Sequence, residues 1–374
     1  MIIVYCQICY KWYNHDEVSS LKKFFRNILV ILLVIVCAAV AGLAWLCVNE
    51  YKPDDVTELK IQGKADEGKE LREGDTLSVL TWNAGYAGLG KNSDFFMDGG
   101  ENVAVADQAT VYKYLGGISD TVYGKKENIP SIRMFQEVDE NSTRTYGIDE
   151  TKVLGKGNYT YALNFCSTYV PYPLPPIGRV NSGILTSTEY KIASAERISL
   201  PCPFKWPVSV VNLKRCLLVS RIPVADSSKE LVVVNMHLEA YDDGEGKIAQ
   251  TNQLLDFMQS EYKKGNYVIA GGDFNQTFPG ALEKYPNTHP ELWLPGEIDA
   301  DMLSDGWQFA YDNSTPTCRL LNQPYDPADT ENTQYYVIDG FILSPNVKLN
   351  STQSLDCGFE NSDHNPVEIN ITLS

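Results

Sequence analysis

The sequence contains little histidine and no cysteine pattern that marks a structural site. Only four histidines occur among 374 residues, and one of them, His15, lies near the amino terminus. Nine cysteines are scattered, and the single CxxC pair of Cys6 and Cys9 has no second pair to complete a zinc site. No internal repeat or low-complexity tract occurs. The sequence therefore predicts a globular protein without a disulfide framework or a structural zinc cluster.

Positive charge is also scarce. The chain has 31 lysines and arginines against 48 aspartates and glutamates, a formal net charge of −17. Residues 1–27 carry a net charge of +2, which leaves −19 for the rest of the chain. A surface of that charge repels polyanions unless cations offset it, so nucleic acid is not favoured as a partner.

One long hydrophobic run stands near the amino terminus. Residues 28–48 are 21 residues with no charge or side-chain amide, enough for a helix of about 30 Å that is apolar on every side. Lys22, Lys23 and Arg26 precede the run, so the positive-inside rule leaves residues 1–27 as a cytoplasmic tail. We predict a single-pass anchor in the cell membrane with the rest of the chain outside; a cleaved signal peptide is the alternative.

The remainder predicts a stalk and one domain. Residues 49–75 are mostly polar without an apolar period, which indicates a stalk, and the catalytic domain is predicted at 76–374. Short apolar and β-branched runs with turn residues between them predict strands there, and a helical period runs from Ile248 to Tyr262. The glycine-rich stretch 85–100 predicts either a flexible loop or a lid that carries Asp94 or Asp98.

Polar side chains end five of the predicted strands, where loops gather catalytic groups on a rigid scaffold. They are Asn83, Glu137, His237, the pair Asp273 and Asn275, and the pair Asp363 and His364. Two histidines among acidic strand ends fit phosphoester hydrolysis, which needs a cation on the phosphoryl oxygens, a base for water and hydrogen-bond donors. A histidine base needs a carboxylate to fix its tautomer, and Asp363 and Asp339 are both candidates.

Seven motifs in one order resemble the endonuclease/exonuclease/phosphatase superfamily, as a membrane-anchored, bacterial-type member similar to deoxyribonuclease I. They are TWN, FQEVD, NSGIL, NMHL, GGDFN, VIDGFIL and SDHNP, from Thr81 to Pro366. The resemblance implies an α/β fold, a four-layer α/β sandwich of two mixed β-sheets flanked by helices, which the transmembrane helix would precede. Gly340 replaces the aromatic residue that often follows the motif's aspartate, which predicts a looser hold on Asp339.

The resemblance also implies a role for each strand-end residue. Glu137 would bind Mg²⁺, or Mn²⁺ or another divalent cation in its place, with Asn83 and Asp363 beside the metal. His364 would be the general base oriented by Asp339, and His237 would donate to a phosphoryl oxygen. Asp273 and Asn275 would position the attacking water and the phosphate. Asn181 is predicted to bind substrate, at a position where some nucleases have a tyrosine that contacts phosphate.

These expectations combine into a membrane-tethered, magnesium-dependent phosphodiesterase or phosphatase that acts outside the cell membrane. A tethered domain meets lipids at high effective concentration, so a lipid head group or a small phosphoester is the expected substrate. An extracellular nuclease and a non-catalytic binding module on the same fold are the alternatives. The sequence indicates no oligomeric state.

Overall fold

The computed structural model describes residues 2–63, 67–124, 129–242 and 244–374, with side chains from Ser20 onward. Two compact units are present, Met1–Glu50 and Tyr51–Ser374.

The first unit is a single helix, α1 (Ile2–Val48). Its segment Ser20–Val48 is 29 residues long, and the most apolar 18-residue stretch within it has a mean hydropathy of 3.0 and is not buried against protein. By length and composition it can cross a membrane. The predicted amino-terminal apolar helix is confirmed, whereas its insertion and orientation stay predictions.

The second unit contains two large mixed sheets. Their strands are β1 (Val56–Glu58), β2 (Thr76–Asn83), β3 (Ile132–Asp139), β4 (Asn158–Val170), β5 (Gly178–Thr188), β6 (Ser194–Ser199), β7 (Cys216–Pro223), β8 (Glu230–His237), β9 (Tyr267–Asp273), β10 (Gln276–Thr277), β11 (Gly296–Glu297), β12 (Gln308–Ala310), β13 (Cys318–Arg319), β14 (Tyr335–Tyr336), β15 (Asp339–Leu343), β16 (Val347–Ser354) and β17 (Val367–Leu373). One sheet has the order β1-β6-β7-β8-β9-β15-β12 and the other β16-β17-β2-β3-β5-β4. The strands β10 with β11 and β13 with β14 form two small separate pairs.

Parallel pairing occurs in the middle of both large sheets. Strands β2 and β3 are parallel in one, and β8 and β9 are parallel in the other, while the remaining pairs of these two sheets are antiparallel. Because parallel strands end at the same edge of a sheet, Asn83 and Glu137 come together at one edge, and His237 and Asp273 at another.

The helices of this unit are α2 (Gln108–Tyr123), α3 (Thr151–Leu154), α4 (Glu245–Lys263) and α5 (Ala281–Lys284). Helix α4 contains the predicted 248–262 segment and packs Leu254 and Met258 with Val234 of the first sheet. Helix α2 packs Val111 and Ile118 in one apolar cluster with residues of the second sheet. A third cluster, with Val79 of one sheet and Val233 of the other, fills the space between the sheets.

This order of helix, sheet, sheet and helix is the predicted four-layer α/β sandwich, which is confirmed. Its two inner faces bury alternate strand residues against each other, as in other face-to-face sheets.

The compact unit begins earlier than the expected boundary at Thr76. Strand β1 pairs with β6, and Leu71, which is fully buried, forms a bridge with Val224 and belongs to the core between the sheets. The described part of 49–75 therefore lies largely along the folded unit, because a few apolar side chains and backbone pairings attach this polar segment to it.

Candidate active site

The strand register brings the acidic and histidine residues together. On the first sheet, Asp273 at the end of β9 lies between His237 of β8 and Asp339 of β15, its direct partners in the two ladders. On the second sheet, Asn83 at the end of β2 pairs with Gln136, next to Glu137. Strand ends of both sheets thus supply the side chains of one site.

A histidine–aspartate pair lies at the centre of this site. His364 Nδ1 is 2.8 Å from Asp339 Oδ2, and both side chains are at least 95% buried. The backbone N–H of Asp339 donates to the hydroxyl of Thr317 at 3.1 Å. Because Nδ1 donates to the carboxylate, Nε2 is left to face the rest of the site. Burial alone would lower the pKa of His364, but the charge and hydrogen bond of Asp339, together with the neighbouring Cys318 and Asp363, outweigh burial and hold that pKa well above its ordinary value.

Asn83 connects the two sheets at the point that His364 faces. Its Nδ2 donates to Glu137 Oε1 and to Asp273 Oδ2, both at 3.1 Å, and lies 3.5 Å from His364 Nε2. Its Oδ1 accepts from the backbone N–H of Gly85 at 3.0 Å. One amide therefore fixes the relative positions of a carboxylate from each sheet and the free nitrogen of His364.

His237 lies on the other side of Asp273, with Nε2 at 3.4 Å from Asp273 Oδ2. Burial, followed by the charges of Arg215 and His364, lowers its pKa well below the ordinary value, so the ring is neutral near pH 7. Arg215 also donates to the backbone carbonyl of His237 at 3.0 Å and to Glu239 at 3.1 Å. The surroundings of the two histidines thus shift their pKa values in opposite directions. His237 is suited to act as a neutral hydrogen-bond donor, and His364, in its deprotonated form, as the stronger proton acceptor.

Asp273 and Asn275 are held by a tight turn after β9. The backbone N–H of Asn275 donates to Asp273 Oδ1, and its side-chain amide donates to the carbonyl of Leu238, both at 2.8 Å. Asn275 has a φ of 49° and Glu137 a φ of 52°, values that cost a non-glycine residue about 1–3 kcal/mol each. Strain of this kind at two proposed site residues supports a functional reason for their positions.

Asp363 lies beside the same space. Its Oδ2 is 3.9 Å from His364 Nε2, whereas Asp339 contacts Nδ1 directly, so the geometry assigns the orienting contact to Asp339. Burial raises the pKa of Asp363 and of Asp273 to about 7 each, and a neighbouring carboxylate adds to the shift in both. A site with this many carboxylates favours a bound cation.

Two groups of possible metal ligands occur among the described residues, and His364 belongs to both. One also contains Asp273 and Asp339, and the other Asp363 and Cys318. Burial raises the pKa of Cys318 to about 12, so its thiol is protonated near pH 7 and is a poor ligand.

The donor set fits a hard divalent cation. Asp339 Oδ1 is buried without a hydrogen-bond partner among the described residues, and Glu137 and Asp363 add further carboxylate oxygens. Such oxygens are the ligands that Mg²⁺ and Mn²⁺ prefer. The predicted ligands Glu137 and Asn83 contact each other, and Gly85 lies between Asn83 and Asp363, where an added Cβ would be 2.8 Å from Asp363 Oδ1.

Asn181, predicted to bind substrate, has no hydrogen bond to the residues around His364 among the described part of the chain. Within the described residues, its hydrogen bonds are to Ser142, Glu140 and Cys166. None of these belongs to the cluster around His364.

The glycine-rich stretch is packed rather than free. Asp98, 7% exposed, accepts from the hydroxyl of Tyr241 at 2.9 Å and from the backbone N–H of Leu321. Arg319 donates to the carbonyls of Gly90 and Ser93. The Asp94 carboxylate accepts from the backbone N–H groups of Glu101 and Asn102, just after this stretch. Of the two aspartates considered for a lid, Asp98 is therefore the one that fastens this segment.

Several supporting residues have no sequence signal that would have identified them. Thr317 holds Asp339, Arg215 holds the His237 carbonyl, and both partners are distant in sequence. The looser hold on Asp339 that Gly340 predicted is not seen, because Asp339 contacts His364 and Thr317. Close packing explains the glycine, since a Cβ there would lie 2.8 Å from Phe278 Cζ.

Comparison with known proteins identifies the fold of this chain. No protein-family profile matches the chain, and no curated protein matches it. Among solved structures, an endonuclease/exonuclease/phosphatase from Beutenbergia cavernae is 16% identical with a TM-score of 0.51 over 80% of this chain and 72% of that one. A family protein from Leptotrichia buccalis is 15% identical with a TM-score of 0.50 over 79% of this chain and 99% of that one. At these identities the likeness concerns architecture, and this chain has the fold of the endonuclease/exonuclease/phosphatase proteins.

Proposed function

We propose that this chain is a divalent-metal-dependent phosphoester hydrolase, with Mg²⁺ as the expected ion. The observation that supports it most is the His364–Asp339 pair, whose free Nε2 faces Asn83, Asp273 and Asp363. A buried, oriented histidine beside several carboxylates supplies a base for water at a site that suits a cation and a phosphoryl group.

The proton path follows from the contacts of His364. The deprotonated form of His364, whose share grows as the pH rises, accepts a proton at Nε2 from the attacking water. Nδ1 keeps its hydrogen bond to Asp339, whose charge stabilises the cation that forms. The water oxygen bonds to phosphorus, and the bond from phosphorus to the leaving oxygen breaks. The leaving oxygen takes up a proton from solvent, to which His364 Nε2 releases the proton that it took from the attacking water. Asp273 and Asn275 position the water and the phosphate.

His237 would act as a neutral donor. Because the pKa of His237 is lowered, its ring is neutral near pH 7 and keeps one N–H that can donate a hydrogen bond. Donation to a phosphoryl oxygen would stabilise the charge that develops there during attack.

The metal would be held by the carboxylates of Glu137 and Asp363, with Asn83 beside it and hydrogen-bonded to Glu137. When bound, a divalent cation supplies polarisation of the phosphoryl oxygens and neutralises developing charge. The histidines, Asp273 and Asn275 would bind the phosphate, orient the attacking water and accept its proton.

Exchanging each of the two aspartates should separate their roles. Asp339→Asn should lower kcat about a hundredfold, because it removes the charge that orients and stabilises His364. Since that charge raises the pKa of His364, the rise of activity with pH should also move to lower pH. Asp363→Asn should mainly raise the Mg²⁺ concentration needed for half-maximal activity. Activity measured as a function of pH and of Mg²⁺ concentration checks both variants. If Asp363→Asn instead shifted the pH profile and Asp339→Asn the Mg²⁺ requirement, Asp363 would orient His364 and Asp339 would bind the metal.

The proposed location and substrate follow from α1 and from charge. A tethered domain outside the cell membrane meets lipid head groups and small soluble phosphoesters, and the −19 of residues 28–374 disfavours long polyanions. Nucleic acid stays a second candidate, because the proteins that share this fold are named for endonuclease as well as phosphatase.

A substrate panel tests the function and distinguishes the candidates. The full chain in detergent, with Mg²⁺, should hydrolyse a phospholipid or a small phosphoester and lose this activity in EDTA. Preferred cleavage of DNA that weakens steeply with salt would favour the nuclease alternative. Binding of these compounds without turnover of any would indicate the non-catalytic alternative.

A further inference from the structure

A buried arginine lies beside the proposed metal site and has no part in the mechanism above. Arg144 follows β3 in a short turn and makes a two-pronged contact with Asp139, from Nε to Oδ2 at 3.0 Å and from Nη2 to Oδ1 at 2.8 Å. Nη2 also donates to the hydroxyl of Ser182 at 3.2 Å. The side chain is 10% exposed.

The guanidinium is stacked on an aromatic ring from the other side of the site. Arg144 Cζ lies 3.6 Å from the centre of the Tyr86 ring. Tyr86 is buried and follows Gly85, which packs against Asp363 and is hydrogen-bonded to Asn83. Asp139, the ion partner, is two residues from Glu137 on the same strand. Arg144 is thus attached on one side to the segment of Glu137 and on the other to the segment of Asn83.

One nitrogen of this guanidinium is left over. Nη1 has no hydrogen-bond partner in residues 2–63, 67–124, 129–242 and 244–374. This atom is not fully buried, so it reaches solvent. Stacking and the Asp139 contact fix the plane of the group in advance, so little side-chain freedom would be lost when Nη1 binds an acceptor.

An anionic substrate needs such a donor here. Glu137, Asp273, Asp339 and Asp363 give the site an excess of negative charge, and phosphate oxygens are acceptors that an arginine binds with short, charge-assisted hydrogen bonds. In contrast, both Nη atoms of the buried Arg319 already donate to backbone carbonyls.

We propose that Arg144, stacked on Tyr86, is a substrate-binding residue that donates from Nη1 to a phosphate oxygen of the substrate. This rests on the proposed function for the identity of the substrate, and it assigns to the site a donor that the sequence motifs do not include. The predicted substrate residue Asn181 is the chain neighbour of Ser182, which contacts the same guanidinium. The side of the site formed by Arg144 would therefore be the one that holds the phosphate.

Binding of inorganic phosphate tests the proposal without turnover. Arg144→Lys keeps a charge for Asp139 but loses the planar fork, so the Kd for phosphate, measured by calorimetry on the full chain with Mg²⁺, should rise about tenfold or more. Arg221→Lys is the matched control, because Arg221 is also ion-paired and largely buried but lies on β7 opposite the start of β8. Its Kd for phosphate should match that of the wild type.

A Kd that changes less than twofold in Arg144→Lys, or a wild type that binds no phosphate, would overturn the proposal. A crystal structure of the wild type grown with phosphate gives the same test if the variant does not fold. A phosphate within about 3 Å of Nη1 supports it, and one held elsewhere in the site without contact to Arg144 contradicts it. Failure of the proposed hydrolysis would appear as absent turnover, which leaves the phosphate Kd measurable.

Discussion

Replacing His364 with glutamine should lower kcat by about 10²–10⁴-fold, the usual contribution of a general base. Glutamine keeps a donor for Asp339 but has no nitrogen that takes up a proton from water near pH 7. The loss should appear in kcat rather than in KM, because proton transfer occurs in the transition state. Steady-state kinetics on a soluble phosphoester at saturating Mg²⁺ measures it.

A second histidine provides the control for that variant. His289 is partly exposed, and its described contacts are with Glu331 and Glu291, away from Asp339. His289→Gln should therefore leave kcat unchanged, and both variants should keep a cooperative thermal transition. Turnover by His364→Gln at the wild-type rate would remove His364 from the mechanism.

Replacing Glu137 with glutamine should reduce activity at least about a hundredfold and weaken metal binding, because the variant removes one charge from the proposed ligands of the cation. Glutamine retains an oxygen that accepts from Asn83, so the contact between the strand ends can persist. Activity as a function of Mg²⁺ concentration, together with calorimetric titration of Mn²⁺, separates the loss of metal from a loss of structure.

Glu140→Gln is the matched control for this variant. Glu140 is exposed and follows β3 three residues after Glu137. Its variant should bind metal and turn over substrate like the wild type. Equal metal affinity in Glu137→Gln and Glu140→Gln would count against Glu137 as a ligand.

The sequence predicted the positions of the strand-end residues well because their chemistry coincides with a local pattern. An apolar run followed by a polar residue predicts a strand and its end. Strand pairing then places His237 beside Asp273, and the packing of the two sheets brings Asn83 to Asp273. The order of the motifs predicted the four-layer sandwich. The choice between Asp339 and Asp363 as the partner of His364 needed the three-dimensional distances.

What the sequence did not predict depends on contacts between distant segments. Arg144 acquires its orientation from the Tyr86 ring, 58 positions earlier in the chain, and from Asp139. The sequence did not predict helix α2, because Gly116 and Gly117 lower the helix propensity of that segment. Gly117 is needed there because an added Cβ would lie 2.2 Å from Asn361 Oδ1. Strand β1 has only three residues, too few to form a recognisable alternation.

The most direct test of the proposed hydrolysis is turnover of a generic phosphodiester and a generic phosphomonoester by the full chain in detergent, with Mg²⁺, with EDTA, and with Mg²⁺ restored after EDTA. A metal-dependent hydrolase of this kind should cleave at least one ester with Mg²⁺, lose that activity in EDTA and regain it when the metal is restored, and His364→Gln should cleave neither ester. Hydrolysis that persists equally in EDTA and in His364→Gln would contradict it.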